Sequence, residues 1–277
     1  MSYDNYFWGD KDTPNHSQWR IQAEKILADR DIWHATATKY FPLGAIAEMR
    51  DGRRWRYCEK DGTNALTKTY IIAACDGTAN WYDQPQTYGT AFVIGNKIVT
   101  IFTATTIPAH ALIDGYMVVT SGTGYREMYI IKDNKVGVAT TGGYTIECEI
   151  ADQGGVRVAT LATTGTTITV MKNKYKDVIL AAYASPLNAV IGVPLCTVPV
   201  NYFFWAQTRG PCPVAVDDTS KDTAVLVAGD YVMLSTDAQG SGCIAIVAAD
   251  GADDNIIGQC IEIAPVDETA LIDLTIE

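Results

Sequence analysis

The chain has 277 residues, 48% of them hydrophobic, which excludes disorder throughout and leaves room for one large or two ordinary domains. Its net charge of -11 arises within residues 197–277, where 13 acidic side chains face only Arg209 and Lys221. An end this acidic argues against nucleic-acid binding by that part of the chain. No apolar run is long enough to span a membrane, and the opening Met-Ser-Tyr-Asp-Asn-Tyr-Phe-Trp lacks the basic and apolar segments of a secretion signal. The expectation is therefore a soluble protein made in the cytoplasm, with no membrane partner.

In chain order, the first 15 residues carry Tyr3, Tyr6, Phe7 and Trp8 in a stretch too short and polar to build a core. An aromatic arm of this kind docks on the rest of its own chain or on a neighbouring subunit. Ser17 can cap a helix whose apolar positions Trp19, Ala23, Ile26 and Leu27 recur at three and four residues and which ends near Arg30. From Leu43 the period changes to that of strands. Leu43–Arg50 and Arg53–Lys60 flank Asp51-Gly52, a dipeptide favoured in two-residue hairpin turns. Counting outward from that turn pairs Arg50 with Arg53, Glu48 with Trp55 and Ile46 with Tyr57, with Met49 opposite Arg54 and Ala47 opposite Arg56. The hairpin tip then forms an Arg-rich rim, with Glu48 diagonal to Arg53.

Further strands are expected at Thr67–Cys75, Thr90–Ile94, Lys97–Phe102, Tyr116–Thr120, Arg126–Ile131, Thr145–Ile150, Thr166–Met171 and Val178–Ala182, with Gly95-Asn96 as a second tight turn. The Thr- and Gly-rich stretches at 139–143 and 162–167 read as loops or edge strands. Ser185-Pro186-Leu187-Asn188 offers a boundary. Beyond it, Ala189–Val193, Asn201–Gln207, Ala224–Val227, Tyr231–Ser235, Cys243–Ala248, Ile256–Ile263 and Ala270–Ile276 read as strands of a second β unit. The run Val200–Val216 pairs an aromatic strand, apolar on both faces around Phe203, Phe204 and Trp205, with a rigid Gly-Pro-x-Pro exit. The expected fold is mainly β: two or more antiparallel sandwich- or barrel-like units with one short N-terminal helix. The division is an arm and helix at 1–42, a β-rich domain at 43–185 and an acidic β domain at 186–277.

Chemistry is sparse. His16, His34 and His110 are the only histidines, no Gly-x-Ser-x-Gly elbow is present, and neither a phosphate loop nor a dinucleotide fingerprint appears. Seven widely spaced cysteines without a Cys-x-x-Cys read as buried free thiols. Glu147 and Glu149 flank Cys148 on one side of a strand and are the candidates for a carboxylate-based glycosidase, although exposed alternation explains them more simply. Asp250, Asp253, Asp254 and Asn255, and likewise Asp217, Asp218 and Asp222, do not match a calcium loop and read as solvated turns. No metal or cofactor is expected. Trp81, Tyr82 and Tyr88 are candidates for a sugar platform. Arg50, Arg53, Arg54 and Arg56 with Trp55 and Tyr57 form the one concentrated basic patch, better suited to an acidic protein surface than to nucleic acid.

Three stretches carry a resemblance: Leu43–Tyr57 with its Asp-Gly-Arg-Arg-Trp-Arg-Tyr, Ile191-Gly-Val-Pro followed by Tyr-Phe-Phe-Trp-Ala-Gln-Thr-Arg-Gly-Pro-Cys, and Glu268–Leu274. With these, the chain resembles head decoration, or cement, proteins of tailed bacteriophages, while about residues 76–185 are unmatched. The resemblance implies a non-enzymatic, often trimeric β protein that binds the outside of a capsid and bridges major capsid protein subunits. Its place would be the virion surface. The candidate contact residues toward the capsid or a second copy are Tyr3, Tyr6, Phe7, Trp8, Trp19, Arg50, Arg53, Arg54, Trp55 and Arg56. A fibre or receptor-binding module is the alternative, for which the unmatched middle leaves room.

Overall fold

A computed structural model describes residues 31–75, 81–86, 88–160, 165–181, 188–216, 226–235, 241–244, 256–262 and 269–277. The helix expected from Ser17 to Arg30 lies outside these residues. Within them the protein is mainly β, built as two antiparallel sheets, one curved into a half-barrel and one into a nearly closed barrel. A single 3-10 turn, Asp31–Trp33, precedes the strands.

The larger sheet draws on both ends of the chain. It contains β1 (Ile46–Glu48), β2 (Arg54–Glu59) and β3 (Ile72–Ala73) from the first part. The smaller sheet is made of β4 (Gln84–Pro85), β5 (Ile98–Thr103), β6 (Tyr116–Ser121), β7 (Met128–Asn134), β8 (Val138–Thr140), β9 (Gly143–Ile150) and β10 (Thr167–Met171). The larger sheet then resumes with β11 (Ile179–Leu180), β12 (Val190–Pro194), β13 (Phe203–Ala215), β14 (Tyr231–Leu234), β15 (Gly242–Ile244), β16 (Ile256–Glu262) and β17 (Thr269–Thr275). Its order is β11-β3-β12-β13-β17-β16-β14-β15, with the β1–β2 hairpin joined through β2 to β13. Because β3 and β11 are direct antiparallel neighbours, Ala73 facing Ile179, the chain leaves this sheet, builds the barrel and returns beside its point of departure. The sheets therefore do not divide the chain at Ser185-Pro186: strands on both sides of that point share one sheet.

The barrel strands alternate as half-buried strands must. In β6, Met117 and Val119 point in and Tyr116 and Val118 out; in β9, Ile146, Cys148 and Ile150 point in. The inward side chains, with Trp81, Phe92 and Tyr129, pack into one core that fills the interior. Strand order runs β4-β10-β6-β7-β9-β5, which leaves a seam between β4 and β5. Glutamine side chains close it. Phe102 N–H donates to Gln86 Oε1 at 2.9 Å, Gln86 Nε2 donates to Phe102 O at 3.2 Å, and Ala104 N–H donates to Gln84 Oε1 at 3.0 Å. Gln86 is 3% exposed, so an amide side chain stands in for a missing ladder rung inside the wall.

Two expectations about the chain path change. The Gly-Pro-x-Pro segment does not end a strand: β13 continues through it to Ala215. Proline is tolerated there because residues 211, 213 and 215 turn their nitrogens away from β17. Ala215, of the same parity, donates to Thr69 O instead. The carbonyls of Arg209 and Pro211 on that side receive the buried Gln207 Nε2 at 3.0 and 2.9 Å. Burial follows: Phe204 to Thr208 are covered on both faces, after which only Gly210, Cys212 and Val214 point inward. The strand expected at Thr90–Ile94 is reduced to an isolated bridge between Phe92 and Thr160, and the Gly95-Asn96 turn packs against Gly155 and Val156 rather than closing a hairpin.

Candidate interaction surface

The hairpin register is one residue away from the sequence expectation. Ile46 faces Arg56, Ala47 faces Trp55 and Glu48 faces Arg54. The connection is a three-residue loop, Arg50-Asp51-Gly52. Gly52 N–H donates to Met49 O at 3.0 Å, Met49 N–H donates to Arg53 O at 2.9 Å, and Gly52 takes φ of +87°. Asp-Gly serves this turn with its glycine bulge as well as it serves a two-residue turn, so the dipeptide alone does not choose between them. A shift of one residue changes every cross-strand partner.

The new partners decide the electrostatics. Glu48 lies 3.7 Å from Arg54. Arg53 Nε bonds Asp51 Oδ2 at 2.7 Å, with its guanidinium 5.4 Å above the Trp55 ring. Arg56 Nε bonds Glu277 Oε2 at 2.5 Å, donates to Gly44 O at 2.8 Å, and lies over the Tyr175 ring. Acids of the same chain thus offset Arg53, Arg54 and Arg56. Arg50 is exposed at the tip, Arg53, Arg54 and Arg56 are half-buried, and Trp55 is 0% exposed. Trp55 is a core residue that anchors the hairpin, not part of its outer surface. Tyr3, Tyr6, Phe7, Trp8 and Trp19 lie outside the described residues.

The hairpin sits close on β13. Gly210, at φ of +81°, leaves space where a Cβ would come within 2.8 Å of Arg53 Cγ. The Glu277 carboxylate also accepts from Tyr175 Oη at 2.7 Å. Burial alone would push its pKa up, but the hydrogen bonds from Arg56 and Tyr175 prevail and hold it below the usual carboxylate value. Burial and the same hydrogen bond push the Tyr175 phenol up. The clasp ties Arg56 of β2 to Tyr175, in the segment by which the chain returns from the barrel.

Beside the hairpin, residues 34–41 run along the start of β13. Thr36 exchanges backbone bonds of 2.8 Å with Phe203. Phe41, Tyr57 and Trp205 contact one another at ring-centroid distances of 5.1–5.3 Å, and Phe203 stacks on Tyr57 at 6.0 Å. With His34, Thr36, Tyr40 and Phe204 these rings line an open recess of about 240 Å³, solvent included. Trp33 and Tyr40, 51% and 56% exposed, flank it. No local pattern marks this site, because Trp33, Tyr40 and Phe41 carry no periodic signal of their own, and Phe203 and Trp205 lie some 160 positions away.

The other candidates separate. Glu147 and Glu149 do share the outer face of β9, but each is paired, to Lys135 at 2.5 Å and Lys132 at 2.8 Å, on the wall of a filled barrel. Trp81 is in the barrel core, so only Tyr82 and Tyr88 of the proposed sugar platform are exposed. His110 Nδ1 lies 2.9 Å from Asp133 Oδ1 on the surface, and His16 is outside the described residues. The acidic loops at 217–222 and 250–255 lie outside them too. Among the described residues no group of three or more His, Cys, Asp or Glu is placed to hold a metal. No helix among them is long and apolar enough to cross a membrane. Cys58, Cys75, Cys148, Cys196, Cys212 and Cys260 are free thiols. Burial pushes Cys148 up to about 12 and Cys196 to about 11, which removes their nucleophilic form at neutral pH. Comparison with protein-family models, curated proteins and solved structures finds no match to this chain.

Proposed function

We propose that this chain is a structural virion protein that binds the outer surface of a capsid and stabilises the shell by bridging major capsid protein subunits. It has no enzymatic role in this reading, and its partners are the major capsid protein and further copies of itself, as a homotrimer. One observation carries the reading. The three stretches that resemble phage cement proteins, far apart in sequence, fall on adjoining strands of one sheet: β1–β2 pairs with β13, and β13 with β17. Most of the unmatched middle, β4 to β10, is a barrel set into that sheet. A resemblance confined to one structural unit is what a shared attachment module with an added domain leaves behind. Multivalency supports the role, since a shell repeats one site many times and modest contacts at each copy add up.

The contact surface in this reading is the N-terminal arm together with Arg50, Arg53 and the exposed rim of the hairpin. Removing residues 1–15 should abolish co-sedimentation with capsids while leaving the circular-dichroism spectrum and unfolding midpoint unchanged. Full occupancy by the shortened chain would refute the assignment.

A further inference from the structure

We propose that a second copy of this chain docks on the outer wall of the barrel formed by β10, β6 and β7, so that copies join through this face. The proposal deepens the self-association in the reading above and rests on that part of it alone. The face follows from the strand register. Tyr116 lies between Met171 and Ile130, and Val118 lies between Thr169 and Met128. Residues directly opposite one another share a side of the sheet, so these six form two adjacent rows. The rows point outward, because Met117, Tyr129 and Val170 between them belong to the barrel core. Met128, Ile130 and Met171 are 50%, 43% and 40% exposed, and Tyr116, Val118 and Thr169 are half-buried.

A barrel wall that faces water should carry polar residues at its outward positions. Strand β9 of the same barrel obeys, with Thr145, Glu147 and Glu149 on its outer side. The β10–β6–β7 wall does not, since only Thr169 of its six outward residues is polar. The apolar surface left open is on the order of 300–400 Å², the size of the largest patch on an ordinary monomer and often a functional one. Its two methionines and tyrosine are residue types that interface cores favour. With the polar residues around it, the patch can form the apolar centre of an interface that buries about 800 Å² per partner.

Charge selects the partner. The Arg157 guanidinium donates to Met128 O and is held by Glu127 at 3.2 Å and Asp152 at 3.3 Å. Lys132, the next outward residue on β7, bonds Glu149 at 2.8 Å. These flanking cations are matched within their own chain, so a strongly charged partner gains little from them. Residues 81–172 hold 6 basic and 7 acidic side chains, and two barrels can meet without net repulsion. Residues 197–277, with 13 acidic side chains against Arg209 and Lys221, would repel their own copy. A neutral apolar wall is best matched by the same wall of another copy, and three such walls can converge on a three-fold axis as two do on a two-fold.

The test uses the full-length chain. By light scattering at about 50 µM, wild type and Ile98→Glu, altered at an exposed site on β5, should be oligomeric. Ile130→Glu should fall to the 30.1 kDa of one chain with its circular-dichroism spectrum unchanged. Where that substitution disturbs the fold, a cross-link decides: Met128→p-benzoylphenylalanine is irradiated in an equal mixture of unlabelled and ¹⁵N-labelled protein. Adducts should join the two isotopes and fall on residues 116–118, 128–130 and 169–171. An oligomer that survives a folded Ile130→Glu, or adducts between copies confined to other surfaces, would overturn this face and leave self-association standing. A wild-type chain at the mass of one copy would overturn both, and would leave binding to a shell to its own test.

Discussion

Replacing Gln86 by Leu removes the side chain that closes the barrel seam. Phe102 faces Thr145 on β9, but its own N–H and C=O point the other way, into the gap beside β4, where Gln86 is their partner. Leucine matches the volume and supplies neither donor nor acceptor. A buried polar group left without its partner costs about 1–3 kcal/mol, and the variant strands the Phe102 donor and acceptor, besides removing a part-buried bond to Gln84 O. Against this stands the gain from burying an apolar side chain in place of an amide, about 1 kcal/mol or more. The net expectation is a destabilisation of about 2–4 kcal/mol, concentrated in the barrel. Urea unfolding followed by tryptophan fluorescence measures the total, and native-state hydrogen exchange at the Phe102 amide locates it. Tyr82→Ser, at an exposed site two positions from Gln84, serves as the control and should stay within about 0.5 kcal/mol of wild type. If Gln86→Leu also stays within that margin and the Phe102 amide exchanges no faster, the glutamine is not the closing rung and the seam is held by something else.

Three further outcomes follow from the hairpin and the core. Gly210→Ala should cost about 2 kcal/mol, since a positive φ alone costs about 1–2 kcal/mol for a residue with a side chain and the new methyl meets Arg53; equilibrium unfolding reads it, and a neutral result would contradict the close approach of hairpin and β13. Glu277 has a folded-state pKa held below its ordinary value of 4.5, so its contribution is present above that pH and is lost as pH falls through the lower folded value. Glu277→Gln should therefore cost about 2 kcal/mol at pH 7 and flatten the acid limb of the stability profile below pH 4.5, and an unchanged limb would contradict the clasp. The buried thiols Cys58, Cys148 and Cys212 should react with a thiol reagent at pH 8 only as fast as the protein opens, and at once in denaturant; rapid labelling of the native protein would contradict their burial.

The sequence made the β class legible because alternation is written into it locally. In β9 and β10 every second residue is apolar, and these strands coincide with the expected Thr145–Ile150 and Thr166–Met171. What escaped depends on partners rather than on neighbours. Asp51-Gly52 marks a turn without specifying two or three loop residues, so a two-residue count places the register one residue off and sets Glu48 beside Arg53 rather than Arg54. Pro211 and Pro213 look like strand breakers until it is known which side of β13 needs donors. The pairing of β2 with β13 joins residues some 150 apart, and no local pattern announces it. The same holds at the candidate surface. The Arg-rich tip was readable as a cluster, but Glu277, which engages Arg56, comes from the far end of the sequence. Trp55, grouped with the arginines by position, belongs to the core because its strand face is the inward one.

The central claim is attachment to a shell, and co-sedimentation tests it most directly. In the proposed role the chain has a parent virus; the purified protein is mixed with heads of that virus stripped of it, pelleted, and quantified against the major capsid protein, with light scattering on the unbound fraction for oligomeric state. The account predicts saturable binding at a fixed ratio to the capsid protein, trimers in solution, and heads that withstand more heating once occupied. Protein that stays in the supernatant at every concentration, or that binds without saturating and leaves the heads no more stable, would contradict it.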